Sequence, residues 1–523
     1  MARKPRELWA ASYMFSHLMK CIYGAANKAG LTIISPAKPE KEKNKIGIYP
    51  DRIYFLGKIK SDLLESARNS FCESTKIPPK SFTQYFNVMS ASCEAENHSK
   101  AIELLNQRLD VLELCNYGAD YDKTHAILNL ITKKCHSPLF AIETGNADTF
   151  PFKINTLAEI ATAQLQGIDS SEWENVKDAA RNLERQAEKK RKETEKADKE
   201  DVENAEYSID INEDFFYKGL LNVSAFKENI KSHHKYFCVV QADGDNMGKV
   251  VSHQDLGDSK LGKISAALVQ FGVDAAQIIE DFGGLPIYAG GDDLLFIAPV
   301  IGKDGTHIFG LLDKIGTDAF GAVAEIVRDI GLHTYKDGKK TDKTIEASLS
   351  FGISISYYKY PLYEALESAR NLLFGTAKNI GDKKAVAWSL RKHSGGTFDA
   401  AFSLKNDAMQ AAFQNLIQST TKDTLVSAIA HKIRQEGALV KTVMEAEKDI
   451  PYTAQDGVIP ERPRLNALFD KVLEFQDNEY YKAVKAIMPI LYKEAGTDKF
   501  IQMLYSILRT AKFIKGEGLH DEE

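Results

Sequence analysis

Cysteine is sparse and irregular here: six residues, at positions 21, 72, 93, 115, 135 and 238, with no C-x-x-C pair among them. That argues against a zinc knuckle and gives no support to a secreted disulfide framework. Long hydrophobic runs are missing as well. No apolar stretch reaches the roughly 20 residues that cross a bilayer, and the start, "MARKPRELWAAS", lacks a signal-peptide layout. A cytoplasmic protein with no membrane partner is expected. Nor is there an excess of positive charge: 67 Lys and Arg stand against 73 Asp and Glu, a net charge of −6. Any contact with nucleic acid would therefore need a local basic patch.

What the chain does have is length and alternation. Its 523 residues exceed what one core organises, so two to four domains are expected, with 44% hydrophobic and 27% charged residues as in soluble globular proteins. An amphipathic helix is read over 6–26, strands over 31–36 and 45–55, mostly helix over 57–135, and a helix over 153–165 capped by Asn155 or Thr156. Residues 171–206 are rich in Ala, Glu, Lys and Arg, with opposite charges at helical spacing, and read as a solvated helix or linker. From 235 the pattern becomes β-α-β-β-α-β with an appended helix and strand, the order of a ferredoxin-like sheet. From about 396 onward it reads as helical, with periodic stretches at 399–417, 422–445 and 463–512.

Within that pattern, "IYAGGDDLLFIAPV" (287–300) plants Asp292 and Asp293 in an apolar hairpin. Buried carboxylates are costly unless they are paired, hydrogen-bonded or bound to metal. The sheet order brings Asp243, at the end of the first strand, toward that hairpin. Three converging carboxylates repel one another unless divalent cations lie between them, and Mg²⁺ or Mn²⁺ suits an all-oxygen site that also takes phosphates. Gly290 and Gly291 fit a tight turn needing positive φ. In "ADGDNMGKVV" (242–251), Gly244 and Gly248 open a loop leading into a helix whose N–H groups could cradle a triphosphate, with Lys249 adding charge. Asp245 is either a further metal-side acid or a helix cap. His233–His234 is expected in an exposed loop, and His520–Asp521 in a charged tail without metal chemistry.

"DGDNMGK" (243–249), "GGDD" (290–293), "SFGISI" (350–355) and "ARNLLFGTAKN" (369–379) together resemble the second palm of the large polymerase/cyclase-like subunit of type III CRISPR effector complexes. "ARKPRELWAASYMFSHLM" (2–19), "YPDRIYF" (49–55) and "KINTLAEIATA" (153–163) are similar to the first, degenerate palm of the Cmr-type (III-B) branch. The implied fold is α+β, with two ferredoxin-like palms, helical domains and a C-terminal helical bundle. Its segments would be a degenerate first palm with helical insertions over 1–165, a charged helical linker over 166–230, the catalytic palm over 231–395 and the bundle over 396–523.

In that family the palm turns ATP into cyclic oligoadenylate when target RNA pairs with the guide, and some relatives without a nuclease domain adenylate S-adenosylmethionine. The resemblance thus implies ATP as substrate, S-adenosylmethionine as an alternative co-substrate, and other Cmr-type subunits, guide crRNA and target RNA as partners. By position, Asp243, Asp292 and Asp293 would hold the metals. Gly244, Asp245, Asn246, Met247, Gly248 and Lys249 would surround the triphosphate, and Lys378 would sit near its terminal phosphates. Ser350 either faces the base edge or is satisfied by neighbouring strand atoms. The chain opens inside the "ARKxRxLW" segment with no HD nuclease motif, so DNase activity is not expected, and the family's Cys-based zinc insertion is missing. The rival readings are a diguanylate-cyclase-like enzyme, which shares the sheet but normally carries GG[DE]EF where Leu294 stands here, and a catalytically silent scaffold.

Overall fold

A computed structural model describes residues 4–39, 46–58, 62–114, 156–195, 213–336, 339–381, 383–420, 424–451, 461–471 and 479–516. The expectations for Cys115, Cys135, residues 196–206 and His520–Asp521 lie outside these residues. The N-terminal helix Pro5–Lys28 buries Trp9, Ala10, Met14, Leu18, Ile22 and Ala26, a stripe at helical spacing. Strands β1 (Thr32–Ser35) and β2 (Tyr54–Leu56) pair antiparallel. Helices Leu63–Thr75, Pro79–Tyr85 and His98–Leu114 follow. Among the described residues, the segment expected to be a degenerate first palm therefore holds helices and one two-stranded sheet.

The central sheet comprises β3 (Tyr236–Asp245), β4 (Leu285–Gly290), β5 (Asp293–Pro299), β8 (Ser348–Tyr357), β9 (Ala385–Arg391) and β10 (Thr397–Ser403), in the order β10-β9-β8-β3-β5-β4. Between β5 and β8 lies a separate hairpin of β6 (His333–Lys336) and β7 (Lys339–Thr344). The inner four strands, β8-β3-β5-β4, are mutually antiparallel, as a ferredoxin-like unit requires, and β9 joins β8 in parallel. Cys238, Val240 and Ala242 share a core with helix Asp258–Phe282, while Phe237 and Val239 pack with the N-terminal helix. Both faces of β3 are covered, which is why it reads as a continuous apolar run.

In its elements and their packing the structure departs from the sequence reading in four places. Residues 397–403 are the edge strand β10 rather than the start of a helix. The helix begins at Asp407, with the Asn406 side chain accepting from the Met409 N–H at 3.0 Å. The hairpin β6–β7 is an unexpected excursion. The charged segment is helical over Ser170–Glu195, yet its first half is packed: Trp173, Val176 and Ala180 are buried with Phe216 and Leu220. His233 and His234, expected exposed, are buried in a 3-10 turn, where their Nε2–H groups donate to Gln164 Oε1 at 3.1 and 2.9 Å. Burial disfavours their charged forms, holding His234 down at about 3.

Thr156 caps helix Leu157–Ala161 in a reciprocal box with Glu159, as one of the two expected caps. Of the C-terminal helices Asp407–Ser419, Thr424–Gln435, Gly437–Ala446, Pro463–Lys471 and Glu479–Lys515, the last, broken at Gly496, packs on β10 and gathers the others around it, and the bundle shares the sheet's core. Trp388 Nε1 donates to Thr510 Oγ1 at 3.0 Å across that junction.

Candidate active site

Strand β3 and the β4–β5 hairpin end side by side. Gly290 pairs with Asp293, so Gly291 and Asp292 are the two central residues of the turn. Only Gly291 takes a positive φ, +67°, a conformation that disfavours L side chains by about 1–2 kcal/mol. Gly290 is required for space instead, because a Cβ there would strike the Tyr288 hydroxyl. The expectation of positive φ at both glycines is corrected accordingly. A Cβ on Gly244 would lie 2.6 Å from both Cβ and Oδ2 of Asp292 and 2.7 Å from Met247 Cγ. Gly244 thus lets the hairpin acid close onto the backbone of β3, beside Asp243.

Asp243, Asp292 and Asp293 are half-buried at this junction. Burial, then the charge of Asp243, pushes the Asp292 carboxyl up to about 6. Burial, a hydrogen bond to Asp243 and the charges of Asp243, Asp292 and Asp51 push Asp293 up further. The two hairpin acids are therefore held above the usual carboxylate range, as buried, mutually repelling carboxylates are. Among the described residues, no group of three or more His, Cys, Asp or Glu side chains is close enough to enclose an ion by itself. Mg²⁺ commonly takes one or two carboxylates and completes its shell with water and phosphate oxygens, so an ion here would draw on one or two of these acids at a time.

Asp245, two residues beyond Asp243, has a different setting. It is fully buried and accepts from Ser348 Oγ at 2.8 Å, Ser350 Oγ at 2.9 Å, the Lys384 N–H at 2.9 Å and Lys378 Nζ at 2.8 Å. It is neither a metal-side acid nor a cap; it is a satisfied buried charge. Ser350 is buried with it, which selects the strand-serine reading over a base contact. Lys378 Nζ also donates to the backbone oxygens of Asp243 at 2.8 Å and Gly244 at 2.9 Å, and touches the Asp243 carboxylate. An ammonium has three donors, and here all of them bind the end of β3. In this structure Lys378 thus braces the strand that carries Asp243, directly beside the acid cluster.

The loop after β3 turns at Asn246, whose φ is +64° and whose Nδ2 donates to the Glu346 carbonyl at 3.0 Å. A single helical turn, Met247–Val251, follows. Met247 points into the core, while Gly248 and Lys249 are exposed, and nothing lies within 4 Å of where a Gly248 Cβ would be. Of the expected triphosphate residues, Gly248 and Lys249 are therefore open to a ligand, and Asp245 and Met247 are not.

Three contributors escaped the sequence reading. Tyr288 is held beside the turn, its hydroxyl made less acidic by burial and by Asp51, Asp293 and Asp292. Asp51 comes from the N-terminal region. That region also bridges β4, with the Ala289 N–H donating to the Gly47 carbonyl at 3.0 Å. A cavity of about 500 Å³ opens on this side, lined by Tyr49, Asp51, Tyr54, Phe55, Met89 and Tyr288 among others. No local motif marks these residues, since their pairing spans more than 200 positions.

Residues 236–387 match the family described as Cas10/Cmr2, second palm domain. The chain is 33% identical over 199 residues to the CRISPR system Cmr subunit Cmr2 of Pyrococcus furiosus, a match covering 34% of this chain and 20% of that protein. The aligned part thus spans a fifth of that relative's length. A type III-B Cmr-beta complex bound to cognate target RNA contains a chain matched at TM-score 0.38 and 11% identity, over 97% of this chain and 69% of that one. A Csm1–Csm4 cassette in complex with cA4 is matched at TM-score 0.27 and 16% identity, over 54% and 36%. Among the described residues, no helix is long and apolar enough to cross a membrane.

Proposed function

We propose, from the premise that residues 236–387 form a palm of the Cas10/Cmr2 second-palm type, that this chain is the nucleotidyltransferase subunit of a Cmr-type, RNA-guided complex. Its substrate is ATP, and its product is a second messenger: cyclic oligoadenylate or an AMP conjugate of S-adenosylmethionine. Guide crRNA, target RNA and other Cmr-type subunits are its partners. The observation that carries the reading is the raised Asp292 carboxyl pressed onto Gly244 beside Asp243. A fold keeps such repulsion where a divalent cation relieves it.

Asp243, Asp292 and Asp293 would hold Mg²⁺, which when bound activates the attacking hydroxyl and neutralises charge on the phosphates. Gly248 and Lys249 offer an open backbone and a cation to the triphosphate. Lys378 and Asp245 keep the end of β3 fixed, so that Asp243 is positioned before the ligand arrives. The cavity beside Tyr288 gives an acceptor room next to the hairpin.

The test is to incubate the complex, loaded with guide and matching target RNA, with Mg²⁺ and labelled ATP, with and without S-adenosylmethionine, and to identify products by mass. Oligoadenylate from ATP alone, or an adduct only with the second substrate, would each support the reading and select the acceptor. Asp292→Ala/Asp293→Ala should leave assembly intact and lower product by roughly 10³-fold or more. A complex that binds target yet makes no product would favour the scaffold.

A further inference from the structure

The β6–β7 hairpin stands outside the six-stranded sheet and, among its described residues, carries Lys336, Lys339, Lys340 and Lys343 against one acid, Asp342. Lys336 and Lys339 are direct cross-strand partners, and Lys340 lies opposite Tyr335 on the other face. Lys336, Lys339 and Lys340 are exposed, as is Tyr335. Like charges placed directly opposite destabilise a ladder, and no ion pair to these three lysines occurs among the described residues. In a chain of net charge −6, this is a local cationic ribbon with an aromatic beside it.

The ribbon is also anchored. His253 Nε2 donates to the His333 carbonyl at 2.8 Å, and the Tyr335 hydroxyl donates to Asp255 at 2.9 Å. Residues 253–255 directly follow the turn that carries Gly248 and Lys249. Whatever the ribbon grips is therefore mechanically joined to the nucleotide loop.

We propose that the β6–β7 hairpin is a docking surface for RNA, with Lys336, Lys339 and Lys340 contacting phosphodiester groups on both faces of the ribbon and Tyr335 available to stack on a base. An anionic backbone would remove the Lys336–Lys339 repulsion. Lysines interleaved with an aromatic are the usual footprint of such contacts. This inference does not rest on the nucleotidyl-transfer reading, because binding can be measured without turnover.

The experiment uses the full chain and a fluorescein-labelled 20-nucleotide RNA, with anisotropy recorded across a salt series. Lys336→Glu/Lys339→Glu/Lys340→Glu is compared with a reversal of three exposed lysines elsewhere, Lys218→Glu/Lys227→Glu/Lys314→Glu. The hairpin variant should weaken binding about tenfold or more and lower the salt slope by about 2, since each single-strand phosphate contact contributes about 0.7. The control should do neither. In hydrogen exchange, RNA should slow the amides of 333–336, 339–344 and 246–255 in the wild type. Equal losses in both variants, an unchanged slope in the hairpin variant, or protection that bypasses 333–344 would overturn the proposal. So would an acidic peptide competing as well as RNA, since that would make the surface a protein contact.

Discussion

The palm carries two hairpins that each place like charges together, and they differ in where the charge sits. At β4–β5 the charges are carboxylates, drawn out of water onto Gly244, and desolvation lifts their proton affinity before their mutual repulsion adds to it. At β6–β7 the charges are exposed ammonium groups, and solvent screens the Lys336–Lys339 pair. The same electrostatic conflict is thus strong in one hairpin and weak in the other. Burial sets the scale, and the depth of each site indicates how firmly it demands a counter-ion.

That contrast can be tested at four points. Lys378→Met would have the largest effect on the fold, because it strands the buried Asp245 carboxylate. Removing one partner of a buried pair costs about 3–5 kcal/mol, so urea denaturation should show a loss of that size, and an unchanged midpoint would mean Asp245 finds another donor. Gly244→Ala tests the close approach. With a Cβ forced against Asp292, apparent Mn²⁺ affinity read by electron paramagnetic resonance should fall about tenfold, while the melting temperature moves by only a few degrees.

The third point is pH. The folded Asp292 carboxyl titrates at about 6, above its ordinary 3.8. Its contribution to stability is therefore fully present below the unfolded value and is lost as pH rises through about 6. The metal-free protein should lose stability between pH 4 and 7, and Asp292→Asn should recover roughly 1–2 kcal/mol of it at pH 8, allowing for partial screening. Calorimetry across that range would decide, and a wild type that gains stability with pH would contradict the sign. Divalent ions should bind more tightly and release protons over the same window. The smallest effect belongs to Lys339→Glu, which makes an opposite-charge pair with Lys336 and should firm the exposed hairpin by about 0.2–1 kcal/mol, seen as slower amide exchange at 334–336.

Much of the site was legible because it is local. The acid at the end of β3, the paired acids in the hairpin and the strand order that joins them follow from alternation and turn residues. The Asp245–Ser348–Ser350–Lys378 network was not legible, since its partners lie 103 to 133 positions apart and only the folded sheet brings them together. Residues 397–403 hid β10 because "TFDAAFS" carries apolar residues at both period two and helical spacing. The β6–β7 hairpin escaped because its strands are polar, although "YKDGKK" contains an Asp-Gly turn signal. The two histidines were misplaced because nothing in their neighbours announces Gln164, about 70 residues away.

The bridge between Gly47 and Tyr288 has a bearing on how this protein can be handled. Strand β4 ends the sheet order, and its outer side would be an unpaired ladder of N–H and C=O groups, an invitation to edge-to-edge association. The chain's own residues near 47 occupy part of that edge, and the N-terminal helix covers the apolar face formed by Phe237, Val239 and Ile287. The sheet excised without the chain's first 50 residues would present both a sticky rim and a greasy face to its neighbours, and should associate more readily than the full chain.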